Sequence, residues 1–63
     1  MEKFTLDEIR AAARNIHDDY YENGYNSARE KADIFIGEMA MHGNNDKDSK
    51  YEFEKHSGLS YDR

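Results

Sequence analysis

Asn44, Asp46 and Asp48 stand at alternate positions of a polar loop, the spacing of the first three oxygen ligands in a calcium-binding EF-hand loop. The rest of that loop's chemistry is missing. Counting from Asn44, the sixth position is Ser49, where the sharp turn needs glycine, and the twelfth is Lys55, where the ion needs a bidentate glutamate. A solvated loop that caps a helix through Asp or Ser is the better reading. His17, His42 and His56 carry imidazoles fit for a metal, but no spacing fixes their mutual distance. There are no cysteines, so thiolate metal sites and disulfides are both excluded. No metal or cofactor is expected.

Catalysis needs a nucleophile beside a base, or carboxylates that converge in a cleft. Asp18 and Asp19 are adjacent, which on a helix sets them about 100° apart and pointing away from each other. A helical chain of 63 residues has little room for a pocket of the usual size. The expectation is a non-enzymatic protein.

Recognition chemistry is better represented. The segment from His17 to Tyr25 holds Asp18, Asp19, Tyr21, Glu22 and Tyr25 around the turn that follows the first helix. Three acids in the last turn of a helix oppose its dipole, at typically about 0.3–1 kcal/mol each when exposed. A local rule broken without visible compensation marks a place to look for function. Tyrosine is also enriched at binding hot spots. The simpler reading is that the next helix begins nearby and offsets the acids while the tyrosines cap the core. A second line on the same helix, Arg10, Arg14, His17 and Tyr21, could touch phosphates. Pairs Asp7–Arg10 and Arg14–Asp18 at helical spacing make it a salt-bridged solvent face first.

The elements that position these groups are legible from caps and periodicity. Phe4-Thr5-Leu6-Asp7-Glu8-Ile9 contains an N-cap threonine, a glutamate three residues on, and flanking apolar residues placed as a hydrophobic staple. A helix is predicted over about 6–22, with Leu6, Ile9, Ala13, Ile16 and Tyr20 on its core face. Ser27 with Glu30 reads as a second capping box, opening a helix over about 28–42 whose stripe is Ala28, Ala32, Phe35 and Met39. Gly24 and Gly43 mark the two ends. The short loop 23–26 makes these helices antiparallel neighbours. Ser49 with Glu52 predicts a third, short helix over about 50–57 that ends near Gly58. The alternation of Tyr51, Phe53 and Lys55 with acids and His56 competes as a strand, but a lone strand has no partner. Leu59 and Tyr61 are available to dock the tail.

The fold expected is therefore all-α: residues 1–43 an antiparallel hairpin, residues 44–63 a polar loop, short helix and tail packed on it. Ile34, Gly37 and Met41 form a second apolar line on the middle helix, roughly 120–140° from its main stripe. Glycine inside a helix costs about 1 kcal/mol relative to alanine, so close packing by the C-terminal segment or another copy of the chain is expected there. With Ile36 added, these residues are the candidate homodimer interface.

Composition bounds the function. The chain carries 14 acids against 9 bases, net −5, which disfavours direct nucleic-acid binding and suits a basic protein partner or simple solubility. No apolar run approaches the roughly 20 residues of a membrane span, and the N-terminus lacks a signal-peptide pattern. A cytoplasmic location is the default. The leading expectation is a small interaction or regulatory protein that binds and occludes another protein. Inhibitors of phage and mobile elements are often built at this size and charge, an analogy that goes no further. The alternatives are a nucleic-acid-linked protein, as a dimeric binder or an acidic mimic of DNA, and a structural subunit of a larger assembly.

Overall fold

Three local signals start and stop three helices. The computed structural model describes residues 2–61, in which α1 spans Leu6–Asn23, α2 Tyr25–Met41 and α3 Lys47–Ser57. Glu8 donates its backbone N–H to Thr5 Oγ1 at 3.1 Å, and Thr5 donates its own to Glu8 Oε1 at 2.8 Å, so the predicted capping box closes in both directions. Phe4 turns onto α2, stacked against Phe35 at 5.3 Å and His42 at 4.2 Å between ring centres. Ile9, Ala13 and Ile16 are buried as the period required. Leu6 and Tyr20, the ends of that stripe, stay exposed in the terminal turns, where less of the neighbouring chain covers α1.

The start of α2 corrects the expectation of a Ser27 cap. The helix begins at Tyr25, and a single residue, Gly24, is both the end of α1 and the entry to α2. Its backbone, φ 93° and ψ 175°, lies in a region that practically only glycine occupies, and that conformation reverses the chain without a four-residue loop. Ser27 then lies inside the first turn and sends its hydroxyl to Asp19. At the other end, Asn44 donates its N–H to Met39 O at 2.8 Å and Gly43 to Ala40 O at 3.2 Å. With Gly43 at φ 82°, this is a Schellman cap.

The onset of α3 is a second correction. It starts a turn earlier than expected, with Asp46 as cap: Ser49 donates its N–H to Oδ2 at 3.1 Å and its hydroxyl to Oδ1 at 2.8 Å. Those bonds hold the Asp46 carboxyl below its ordinary range. Glu52, expected to complete a box with Ser49, instead accepts from Arg10 of α1 at 2.8 and 3.1 Å. The alternating segment 51–55 is helical, with Phe53 buried beneath it.

The contacts fix the order of the bundle as up, down, up. Lys31 meets Asp19 near Gly24 while His42 meets Phe4 at the far end, so α2 runs antiparallel to α1. Glu52 meets Arg10, and the ring of His17 lies against Gly58, so α3 runs parallel to α1. Phe53 is fully buried, with Phe35 stacked at 6.1 Å on one side and Tyr61 edge-on at 6.1 Å on the other. Small residues (Ala13, Ala28, Ala32, Ser57) are buried as well and let helix backbones come close. Leu59 is buried and docks the tail, and Arg29 of α2 donates to Ser60 O at 2.9 Å. Among the described residues there is no strand, and no helix is long and apolar enough to cross a membrane.

Asn44 closes the end of the bundle opposite Gly24. Its side chain accepts the Phe4 N–H at 2.8 Å and donates to Phe4 O at 3.1 Å, a strand-like pairing made by one carboxamide. The same Nδ2 reaches Ser49 Oγ at 3.2 Å. The accessible surface, 4311 Å², is close to the roughly 4200 Å² of a compact monomer of this mass.

Two glycines make opposite predictions. A β-carbon at Gly24 or at Gly37 would meet nothing within 4 Å, so space does not distinguish them. Backbone conformation does. Gly24→Ala is expected to lose about 1–3 kcal/mol in urea unfolding, whereas Gly37→Ala at micromolar concentration gains about 0.5–1 kcal/mol. Asn44→Ala leaves the Phe4 amide and carbonyl without their partners and is expected to cost about 1–3 kcal/mol by the same measurement.

Candidate functional site

The reversal at Gly24 brings the last turn of α1 against the first two turns of α2, and one carboxylate joins them. Asp19 is 7% exposed, although it is the residue of a charged pair that periodicity leaves at the edge of the core. Its Oδ1 accepts from Asn23 Nδ2 at 2.8 Å and Lys31 Nζ at 2.9 Å, and its Oδ2 from Ser27 Oγ at 2.7 Å. Lys31, then Ser27 and Asn23, stabilise the anion and lower its pKa from the ordinary 3.8 to about 2, against the opposing effect of burial. Asp19 thus spans eight to twelve residues of chain and locks the tip.

Of the five residues singled out at the tip, four face outward. Asp18 and Glu22 are exposed one helical turn apart, Tyr21 is 88% exposed, and Tyr25 is 51% exposed across the turn. Asp19 is occupied within the chain. Tyr20, read from the sequence as core, adds to the outward group: it is exposed and packs edge-on against Tyr25, ring centres 6.0 Å apart. Its place at the end of the α1 stripe was the one available signal. No basic residue stands in the last turn of α1, so Asp18 and Glu22 keep their unfavourable place beside its dipole.

The basic line on α1 is partly consumed. Arg10 binds Glu52 and also reaches Asp7 at 3.2 Å; the Glu52 hydrogen bond raises the pKa of the guanidinium and lowers that of the carboxyl. Arg14, His17 and Tyr21 remain exposed.

The second apolar line has no cover from the C-terminal segment, because α3 packs on the other side of the hairpin. Ile34 and Met41 are 62% and 68% exposed, and Gly37 is open to solvent. Ile36 packs partly buried against the core of its own chain. Beside Ile34, a groove of about 240 Å³ runs between α1 and α2, walled by Ala12, Asn15 and Ile16 and rimmed by Lys31 and Glu38. A broader hollow of about 510 Å³ opens between Tyr20, Tyr25 and Leu59, where Arg29 and Asp33 are already paired at 3.0 Å. The acidic loop is structural: Asp46 caps α3, Asp48 lies in its first turn, and Asn44 points inward. Among the described residues no three His, Cys, Asp or Glu gather as a metal site.

The Asp19 lock depends on pH. Asp19 is depressed in the folded state, so its stabilisation is complete above about pH 4 and is lost as pH falls toward about 2. Urea midpoints across that range are expected to show Asp19→Asn weaker than the unaltered chain at neutral pH, with the gap closing by about pH 2. No protein-family model matches this chain, nor does any curated protein or solved structure.

Proposed function

We propose that this is a non-enzymatic interaction protein that binds and occludes another protein with a basic surface, using the tip of the α1–α2 hairpin. The observation that carries the reading is Tyr21, a residue left 88% exposed in the same turns of α1 as the exposed carboxylates of Asp18 and Glu22. Tyrosine offers a large amphipathic contact at little conformational cost, and carboxylates one turn apart suit the guanidinium and ammonium groups of a basic partner. Tyr25 extends the same surface from α2. The Asp19 lock supports the reading further, because a tip held in shape before binding loses less entropy on association.

The net charge of −5 favours encounter with a cationic surface over a phosphate backbone. Engagement of Arg10 by Glu52 and Asp7 takes one cation out of the basic line on α1, which ranks that alternative lower.

The test is comparative capture. Immobilised chain and its Tyr21→Ala/Tyr25→Ala variant are exposed to the same cell extract, with circular dichroism recorded on both. The expected outcome is a defined protein retained by the first and lost by the second at equal helicity. Retention unchanged by the double substitution removes the tip from the binding surface.

A further inference from the structure

We infer that two copies of this chain associate through the outer face of α2, antiparallel about a two-fold axis at Ile34, the two Ile34 side chains meeting on the axis and each Lys31 facing Glu38 of the other copy. The inference stands apart from the tip, whose residues it does not use.

The argument begins with what flanks Ile34. Lys31 lies three residues before it and Glu38 four residues after, and both rim the same groove. Seven residues make nearly two full turns, so the two charges share one flank of α2, about 20° apart. In an antiparallel pair, each flank faces the same flank of its neighbour. A two-fold axis through Ile34 therefore sets Lys31 of each copy opposite Glu38 of the other, twice over, by symmetry. A parallel pairing would set each charged flank against the Gly37 flank of the other copy and leave Lys31 and Glu38 without these partners.

Both groups are accessible. Glu38 is exposed, and the Lys31 side chain is 59% exposed while it donates to Asp19. An ammonium has three donors, so the lock and an intermolecular pair can coexist.

The apolar part matches the polar part. Ile34, 62% exposed, meets Ile34 of the other copy on the axis. Beside it, the groove of about 240 Å³ that Ile34 lines together with Ala12 and Ile16 adds apolar surface for the pairing to cover. Gly37, on the opposite flank, has nothing within 4 Å of where a β-carbon would stand, so a second backbone can come close. Met41 extends the apolar contact toward the end of the helix.

Area sets the strength. Seventeen residues of α2 give a face about 25 Å long and about 10 Å wide, which falls short of the roughly 800 Å² per partner of a stable interface. The association belongs to the weak, reversible class. This agrees with a fold whose exposed surface is already that of a monomer.

Sedimentation equilibrium of the full chain from about 10 µM to about 1 mM, in low salt, tests it. The expected result is a monomer at the lower limit and a rising dimer fraction toward the upper, diminished by added salt. Ile34→Arg is expected to remove the dimer. Glu38→Lys turns two attractions into two repulsions and is expected to weaken association by about tenfold. Both positions face solvent, and circular dichroism on each variant confirms that helicity is kept. A constant monomer mass up to about 1 mM overturns the inference. So does either variant associating as tightly as the unaltered chain.

Discussion

One buried carboxamide holds the open end of this bundle together. Asn44 is 2% exposed, and the interior tolerates an amide only when its donors and acceptor are matched. They are matched by Phe4 above and Ser49 below, while its backbone N–H caps α2. The entry to α1, the exit of α2 and the first turn of α3 therefore meet at one residue. Gly43 makes this possible, because its positive φ at the end of α2 turns the chain so that Asn44 points inward rather than along the helix axis. The opposite end is held by Asp19 in the same manner, one side chain bonded to three others. Between these two polar ties the apolar core has only to fill space. A chain without disulfides, and too short for a large core, is closed at both ends by hydrogen bonds to buried groups.

The core itself is lean. Among the described residues Phe53 is the largest fully buried side chain, and alanine and serine make up much of the rest of the buried set. Small residues bring helices close, which favours dispersion contacts over sheer buried area. That choice has a consequence for the outside. Ile34, Met41, Tyr21 and Tyr51 are not required by the core and stand 62%, 68%, 88% and 62% exposed. Tyr51 receives the ammonium of Lys55 over its ring at 5.7 Å, a partial use within the chain. Tyr21 and Ile34 have no such ring contact and lie on the two surfaces with the strongest claim to recognition.

The helix count, the parity of the bundle's first two helices and most of the core were legible because caps and 3.6-residue periodicity are local properties. Thr5 with Glu8 could be read in isolation, and Ile9, Ala13, Ala28, Ala32 and Met39 are buried on the faces that their spacing requires. The two misplaced starts share a cause. Ser27 with Glu30 and Ser49 with Glu52 both carry the capping-box pattern, yet Ser27 bonds Asp19 and Glu52 bonds Arg10. A cap pattern names groups that can bond locally; whether they do depends on partners eight or forty-two residues away. Gly24 was read correctly as a stop, but its ability to serve two helices at once depends on a φ and ψ that sequence does not reveal. The tip was legible as unusual, whereas the division between Asp19 as lock and Asp18, Tyr21 and Glu22 as surface required the three donors to be seen in place.

The two surfaces also bear on each other through geometry. From Ile34 to Gly24 is ten residues of α2, about 15 Å along the axis. In an antiparallel pair centred on Ile34, the two tips lie about 30 Å apart and point in opposite directions. Neither tip is covered by the association, and both remain fixed to α2 by Asp19 and Lys31. Such a dimer presents two copies of the acidic, tyrosine-bearing surface outward. A partner with one basic site gains nothing from this, but a partner that is itself repeated or oligomeric gains the effective concentration of the second tip. Weak self-association then matters most where partners are already assembled, since simultaneous capture at two sites holds together a dimer that is sparse in dilute solution. Lys31 is common to the Asp19 lock and the proposed pairing: it donates to Asp19 inside its own chain, and in the proposed dimer the same ammonium group would face Glu38 of the other copy.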